Sequence, residues 1–113
     1  MAALDYDLRI DQGAEYRLRI PVLDQDGDPV NLSGWSLRGE VRATYGSPYV
    51  LFDLNSSLSV DDDAVHAVLT ILGPDSAPWV WTEAVYDVEI VDPGGSPYRL
   101  IQGRVLVSPE VTQ

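Results

Sequence analysis

The sequence predicts an all-β domain, a sandwich of about seven antiparallel strands, on three observations. Apolar residues recur with a period of two along most of the chain, the spacing of side chains on one face of a strand. The candidate strands are short and closely spaced, and clusters such as NLSG and DPGGSP, rich in turn-forming residues, separate them. Helical periodicity is scarce. The 113 residues leave room for one domain that buries about 65% of its unfolded surface. Residues 1–113 therefore read as one unit with short extended termini, without internal repeat, linker or low-complexity segment.

Taken in order, DYDLRI sets Tyr6, Leu8 and Ile10 on one face. EYRLRIPVL follows with Tyr16, Leu18, Ile20 and Val22 against Glu15, Arg17 and Arg19. WSLRGEVRA places Trp35, Leu37 and Val41 together, and Gly39 interrupts that row, the mark of a bulge or of close packing. Residues 44–63 are the least regular. SPYVLFDL within them suits a short edge strand, with Pro48 at its first position. AVHAVLTIL aligns Val65, Ala67, Leu69 and Ile71, and PDSAPWVW holds one helical turn that Asp75 caps and Pro78 stops. VYDVEIVD and YRLIQGRVLV complete the set as a hairpin around PGGSP, whose glycines permit positive φ.

EAVYDV refines the architecture. Immunoglobulin-like domains carry Ala, one residue, then Tyr at the entry to the sixth strand, and the tyrosine hydroxyl bonds back across the corner to backbone. Tyr86 holds that place, and Val88 stands where antibody domains have a cysteine, so the bridge between the sheets is expected to be hydrophobic. Trp35 is the candidate core tryptophan.

Charge and composition exclude several functions. The formal charge is −11 and all seven basic residues are arginines, interleaved with acids or apolar residues, so a phosphate backbone is repelled and no nucleic-acid partner is expected. No apolar run nears the roughly 20 residues of a membrane span, so no membrane partner is expected. The start of the chain lacks a basic, then apolar leader, which makes synthesis in a cytoplasm the expectation. The absence of cysteine removes disulfides, thiolate metal sites and a cysteine nucleophile.

Candidate chemistry reduces to structure at each point. DQDGDPVNLSGW, residues 24–35, resembles a calcium loop, but Pro29 and Trp35 occupy the positions where such a loop needs glycine and a bidentate glutamate. Asp and Gly there read as a tight turn. VDDDA reads as a solvated loop. His66, the sole histidine, sits opposite Val65 and Ala67 without a nucleophile elbow near any serine, and reads as an exposed or edge-strand residue. DPGGSP precedes a strand, not a helix, and so matches no phosphate-binding loop. No catalytic, cofactor-binding or metal-binding residue is assigned. Tyr45, Tyr49, Trp79 and Trp81 fall in the irregular segments, where aromatics either anchor a protein partner or tuck under the corner.

Three stretches, IDQGAEYRLRI, DGDPVNLSGWSLRGEVR and YDVEIVDPGGSPYRLIQGRVLVSPEVT, together resemble small bacteriophage and prophage structural proteins of the tail and tail-fibre region. Those are immunoglobulin-like modules similar to the N-terminal domain of baseplate upper proteins. The resemblance covers nearly the whole chain except about residues 44–64, and its weight lies in the order of a QG entry, a G-x-P-x-N-L-S-G turn, a Y-D-V-E strand and a terminal G-R-V-x-V-S-P-E-V-T. It implies a non-enzymatic virion protein, made in the bacterial host cytoplasm. Such a protein acts as a tail, baseplate or fibre-attachment adaptor through contacts with other phage structural proteins, as a homo-oligomer in the particle. No appended fibre or receptor-binding domain is expected over these 113 residues, a departure from the family. Capsid decoration is the first alternative reading, and a cell-surface or carbohydrate binding module the second. Edge strands and the terminal segments MAALDYD and SPEVTQ are expected to carry the contacts by backbone pairing.

Overall fold

A computed structural model describes residues 3–109; the ends of both terminal segments lie outside the described residues. Among the described residues, alternation of apolar and polar side chains yields nine strands: β1 (Leu4–Asp5), β2 (Leu8–Asp11), β3 (Tyr16–Pro21), β4 (Ser36–Arg42), β5 (Val50–Asp53), β6 (Leu58–Val60), β7 (His66–Ile71), β8 (Glu83–Val91) and β9 (Pro97–Ser108). A 3-10 turn (Asn55–Ser57) links β5 to β6, and one helical turn, α1 (Gly73–Ser76), follows β7. The larger sheet runs β1-β9-β8-β4-β5, with β2 also against β9, and the smaller runs β3-β7-β6. The fold is all-β. Leu8, Ile10, Val41, Tyr86, Val88, Ile90 and Val105 from the first sheet meet Ile20, Ala67, Leu69 and Ile71 from the second in one buried cluster.

Most expected rows hold. β8 buries every second residue from Ala84 to Ile90, and β7 buries Ala67, Leu69 and Ile71. Gly39 is close packing rather than a bulge: a Cβ there would meet the Asp87 carbonyl at 2.7 Å and the Leu54 and Val88 side chains at 3.3 Å. The amide N–H of Leu54 donates to the Gly39 carbonyl, which ties the end of β5 to β4.

Several expectations are corrected. DYDLRI is two short strands, because the chain breaks at Tyr6 and Asp7 where it crosses Gly103, and Tyr6 leaves the inner row. β1 and β2 run parallel to β9, so the strands are not all antiparallel. An unforeseen strand, β6, pairs with β7. That makes β7 the middle strand of its sheet, so His66 is half-buried on a central strand and not on an edge. Pro48 precedes β5 by two residues. Asp75 lies inside α1 and reaches back, its carboxylate accepting the Leu72 N–H at 3.2 Å. Trp35 stands just outside β4, half-buried, with its ring 6.1 Å from that of Tyr98; the tryptophan in the core is Trp79. The turn of residues 32–35, closed by the Trp35 N–H on the Leu32 carbonyl, sets that indole at the end of the sheet before the alternation begins.

Candidate functional site

Three acidic turns stand at one end of the molecule. In residues 24–28 the Asp24 carboxylate accepts the N–H groups of Asp26 and Asp28, Gly27 donates to the Asp24 carbonyl, and Gly27 takes φ +83°. Residues 92–96 repeat the arrangement: Asp92 accepts the Ser96 N–H through its carboxylate at 2.8 Å and the Gly95 N–H through its carbonyl, with Gly95 at φ +91°. The second turn has a single acid, so the geometry of the first requires no ion. Carboxylate oxygens of Asp24, Asp26 and Asp28 do lie within 4.8 Å of one another, all on exposed residues. Asp24 is already engaged with backbone, as an Asx turn requires.

The third turn, residues 61–65, is braced from β3, the neighbouring strand of the same sheet. Arg19 bonds Asp61 Oδ2 and Asp63 Oδ2, each at 2.5 Å. Asp63 also accepts the Val65 and His66 N–H groups and meets His66 Nδ1 at 2.7 Å. The Arg19 hydrogen bond holds the Asp61 carboxyl below its ordinary range, and the Val65 N–H chiefly does the same for Asp63. His66 is thus joined to a carboxylate that shapes a turn. Ala64 adopts φ +61°, where the other two turns use glycine.

A second group of residues fastens the N-terminal strand. The Tyr86 hydroxyl donates to the Tyr6 carbonyl at 2.6 Å, 80 positions away in sequence. Beneath that carbonyl is Gly103, where any Cβ would collide with it. Asp7 replaces the interrupted ladder, its carboxylate accepting the Arg104 N–H and guanidinium, each at 3.0 Å, and these bonds lower its pKa. Burial raises the Tyr86 hydroxyl well above the usual phenol range. At the next turn the Gly13 N–H donates to Ser76 Oγ at 2.8 Å, and the Gln12 amide reaches the carbonyls of Ala77 at 3.0 Å and Trp79 at 2.6 Å. Ser76 is fully buried. Partners 60 to 100 positions apart leave no local signal: the sequence predicts a backbone bond for the Tyr86 hydroxyl, but neither its partner Tyr6 nor the other contacts.

The four candidate aromatics separate into two pairs. Tyr45 and Tyr49, 63% and 77% exposed, project from the β4–β5 loop. Trp79 is 9% exposed; it stacks on half-buried Trp81 with centroids 4.5 Å apart and takes the edge of Phe52 at 5.2 Å. That pair is committed to packing between the sheets. Val88 and Tyr86 lie at 0% and 1% exposure on the inner face of β8.

The outer face of the larger sheet carries a groove of about 400 Å³ lined by Arg38, Glu40, Arg42, Tyr45, Asp87 and Glu89. Its charges are paired, Arg38 with Glu89 at 3.3 Å and Arg99 with Asp87 at 3.7 Å across strands, and Arg42 with Glu40 at 2.6 Å along β4. Burial, with Glu40 and Glu89 nearby, lifts the Asp87 pKa despite Arg99. Such exposed pairs orient side chains more than they stabilise the sheet. No protein-family model and no curated protein matches the sequence.

Proposed function

We propose that the chain is a non-enzymatic structural protein of a bacteriophage particle, an immunoglobulin-like module that joins tail, baseplate or fibre components through protein contacts. Strand order supports the finer fold: β3-β7-β6 follows the B-E-D order of that sandwich, and β9-β8-β4-β5 follows G-F-C with an added C′. The first strands then run beside β9, in parallel. Tyr86 enters the strand equivalent to F, although its hydroxyl bonds to the first strand, not to backbone a few residues upstream.

The observation that carries the reading is where the resembling motifs stand. The QG entry is the turn held by Ser76, Tyr86 of Y-D-V-E bonds the Tyr6 carbonyl, and G-R-V supplies Gly103 and Arg104 beneath the same crossing. Three of the four motifs thus fall in one set of fastenings for the N-terminal strand, which suits a domain that works by holding position. Purified particles should contain the protein in many copies, which quantitative mass spectrometry reads directly. Deleting the gene should leave particles that lack a tail or fibre feature and adsorb poorly. Fully infectious particles without the protein would overturn the proposal, and tailed particles with unstable heads would favour capsid decoration.

A further inference from the structure

The register of β4 on β8 sets two acids against each other. Glu40 lies directly opposite Asp87 on the outer face of the larger sheet, a pairing of like charges that weakens a sheet. Glu40 is compensated, because Arg42 donates to its Oε2 from Nε at 3.0 Å and from Nη2 at 2.6 Å. Glu89 has Arg38 at 3.3 Å. Asp87 is the acid left over: among the described residues its carboxylate accepts no hydrogen bond, and its one ion pair, with Arg99 Nε, spans 3.7 Å. Arg99 is drawn aside by Gln102, whose Oε1 accepts from its Nη1 at 3.0 Å. The Asp87 side chain is only 32% exposed, so it has lost much of its water without gaining a donor.

We infer that the groove beside Asp87 anchors an arginine side chain of a partner protein, with Asp87 accepting its guanidinium and Tyr45 offering the ring on which it lies. A sequence keeps a conflict such as Glu40 against Asp87 chiefly where function uses it. A cation resolves that conflict, whereas a neutral ligand leaves it and an anion adds to it. The chain's charge of −11 draws cations to the surface. A metal ion fits poorly, since among the described residues only Asp24, Asp26 and Asp28 bring three ligand oxygens within 4.8 Å of one another. A guanidinium suits the groove better than an ammonium: its planar fork can meet a carboxylate with two hydrogen bonds, and its face stacks on an aromatic ring. Tyr45 lines the same groove of about 400 Å³ and is 63% exposed. Its loop is held in place, because Arg42 Nη1 donates to the Ser47 carbonyl at 2.6 Å and so ties the loop to β4. The inference rests on the reading of the chain as a module that works through protein contacts, and adds the chemistry of the partner.

Adding a capped Gly-Arg-Gly peptide to the full chain while its amide resonances are followed by NMR tests it. Signals of Gly39, Asp87 and Glu89 should move, and the same peptide with citrulline, the uncharged isostere of arginine, should leave them in place. Asp87→Asn should weaken binding at least about tenfold, the effect of losing a hydrogen bond between charged groups. The same variant should melt no lower than the wild type, because it removes one of two opposed acids; an Asp87 that served only the fold would show the reverse. Tyr45→Ala should weaken binding about two- to fivefold. Asp26→Asn with Asp28→Asn, in an exposed turn away from the groove, should leave it unchanged. Free arginine, whose own carboxylate is repelled, should bind more weakly than the capped peptide, and equal binding would overturn the protein partner in favour of a free amino acid. No shift with the arginine peptide, equal binding of the citrulline peptide, or wild-type affinity in Asp87→Asn overturns the inference. All of these are read on the isolated chain, so they stand or fall separately from its presence in virions.

Discussion

Replacing Tyr86 with phenylalanine removes one hydroxyl and leaves the ring in place, which isolates the bond to the Tyr6 carbonyl. The ring is 1% exposed, so water cannot readily stand in for the lost group on the core side. A net hydrogen bond contributes about 1 kcal/mol, and a carbonyl left short of its donor adds to the loss, giving about 1–2 kcal/mol. For a domain of this size that is a fall in melting temperature of about 4–8 °C.

Gly103 supplies the control. Gly103→Ala places a methyl group against the Tyr6 carbonyl and should displace it at a cost of about 1–3 kcal/mol. If both residues act through that carbonyl, the two losses do not add: once alanine has pushed Tyr6 away, Tyr86→Phe has little left to remove. Urea titration of the wild type, the two single variants and the double variant measures the coupling, which should be at least about 0.5 kcal/mol. A neutral Tyr86→Phe, or losses that sum within error, would refute the fastening of the first strand.

The acidic turn of residues 24–28 should hold no specific calcium, so melting in calcium and in chelator should coincide; a site at one hundred times its dissociation constant would add about 2.7 kcal/mol. Ala64→Gly should raise stability by about 0.5 kcal/mol, because relief of left-handed strain, about 1–2 kcal/mol, exceeds the entropy glycine adds to the unfolded chain. A loss in urea melts would count against that strain. Stability should also fall at alkaline pH. Burial lifts Tyr16 to about 12 and Tyr86 higher still, so above the ordinary tyrosine value of about 10 the unfolded chain releases protons that the folded one retains. Each tyrosine removes at most about 1.4 kcal/mol per pH unit there, less for half-exposed Tyr16, and no decline in unfolding free energy above pH 10 would contradict the burial of Tyr86.

Much of the fold is written locally. The alternation in β8 is strict because it buries one face against the other sheet, β7 keeps its inner row but buries Val68 as well, and the glycines of residues 27 and 95 mark positions that need positive φ. The break in DYDLRI is invisible in its own letters, since it follows from a glycine nearly a hundred positions later. β6 escaped notice because three residues beginning and ending in Leu58 and Val60, among serines, are too short to show a period. Trp79 lies outside any alternating run and is buried through Phe52 and Trp81, partners that local sequence does not supply. Trp35 misled for the converse reason: it opens an alternating pattern but precedes the first hydrogen-bonded residue of its strand.

The paired turns separate acids that shape the chain from acids that merely charge it. Asp24 and Asp92 each start a five-residue turn and cap it through their own carboxylates. Asp26 and Asp28 have Gly94 and Ser96 as counterparts in the other turn, so a carboxylate is not required at either position. Asp62 sits between two acids that share Arg19. Backbone contacts from Val22 to Val65 and from Leu32 to Ala64 draw the first and third turns together, which concentrates like charge where every residue is wet. Crowding of this kind costs little in water, about 1 kcal/mol for a pair at 4 Å and less as salt screens it. What it gives in exchange is an end of the molecule that repels other anions, copies of the same chain included.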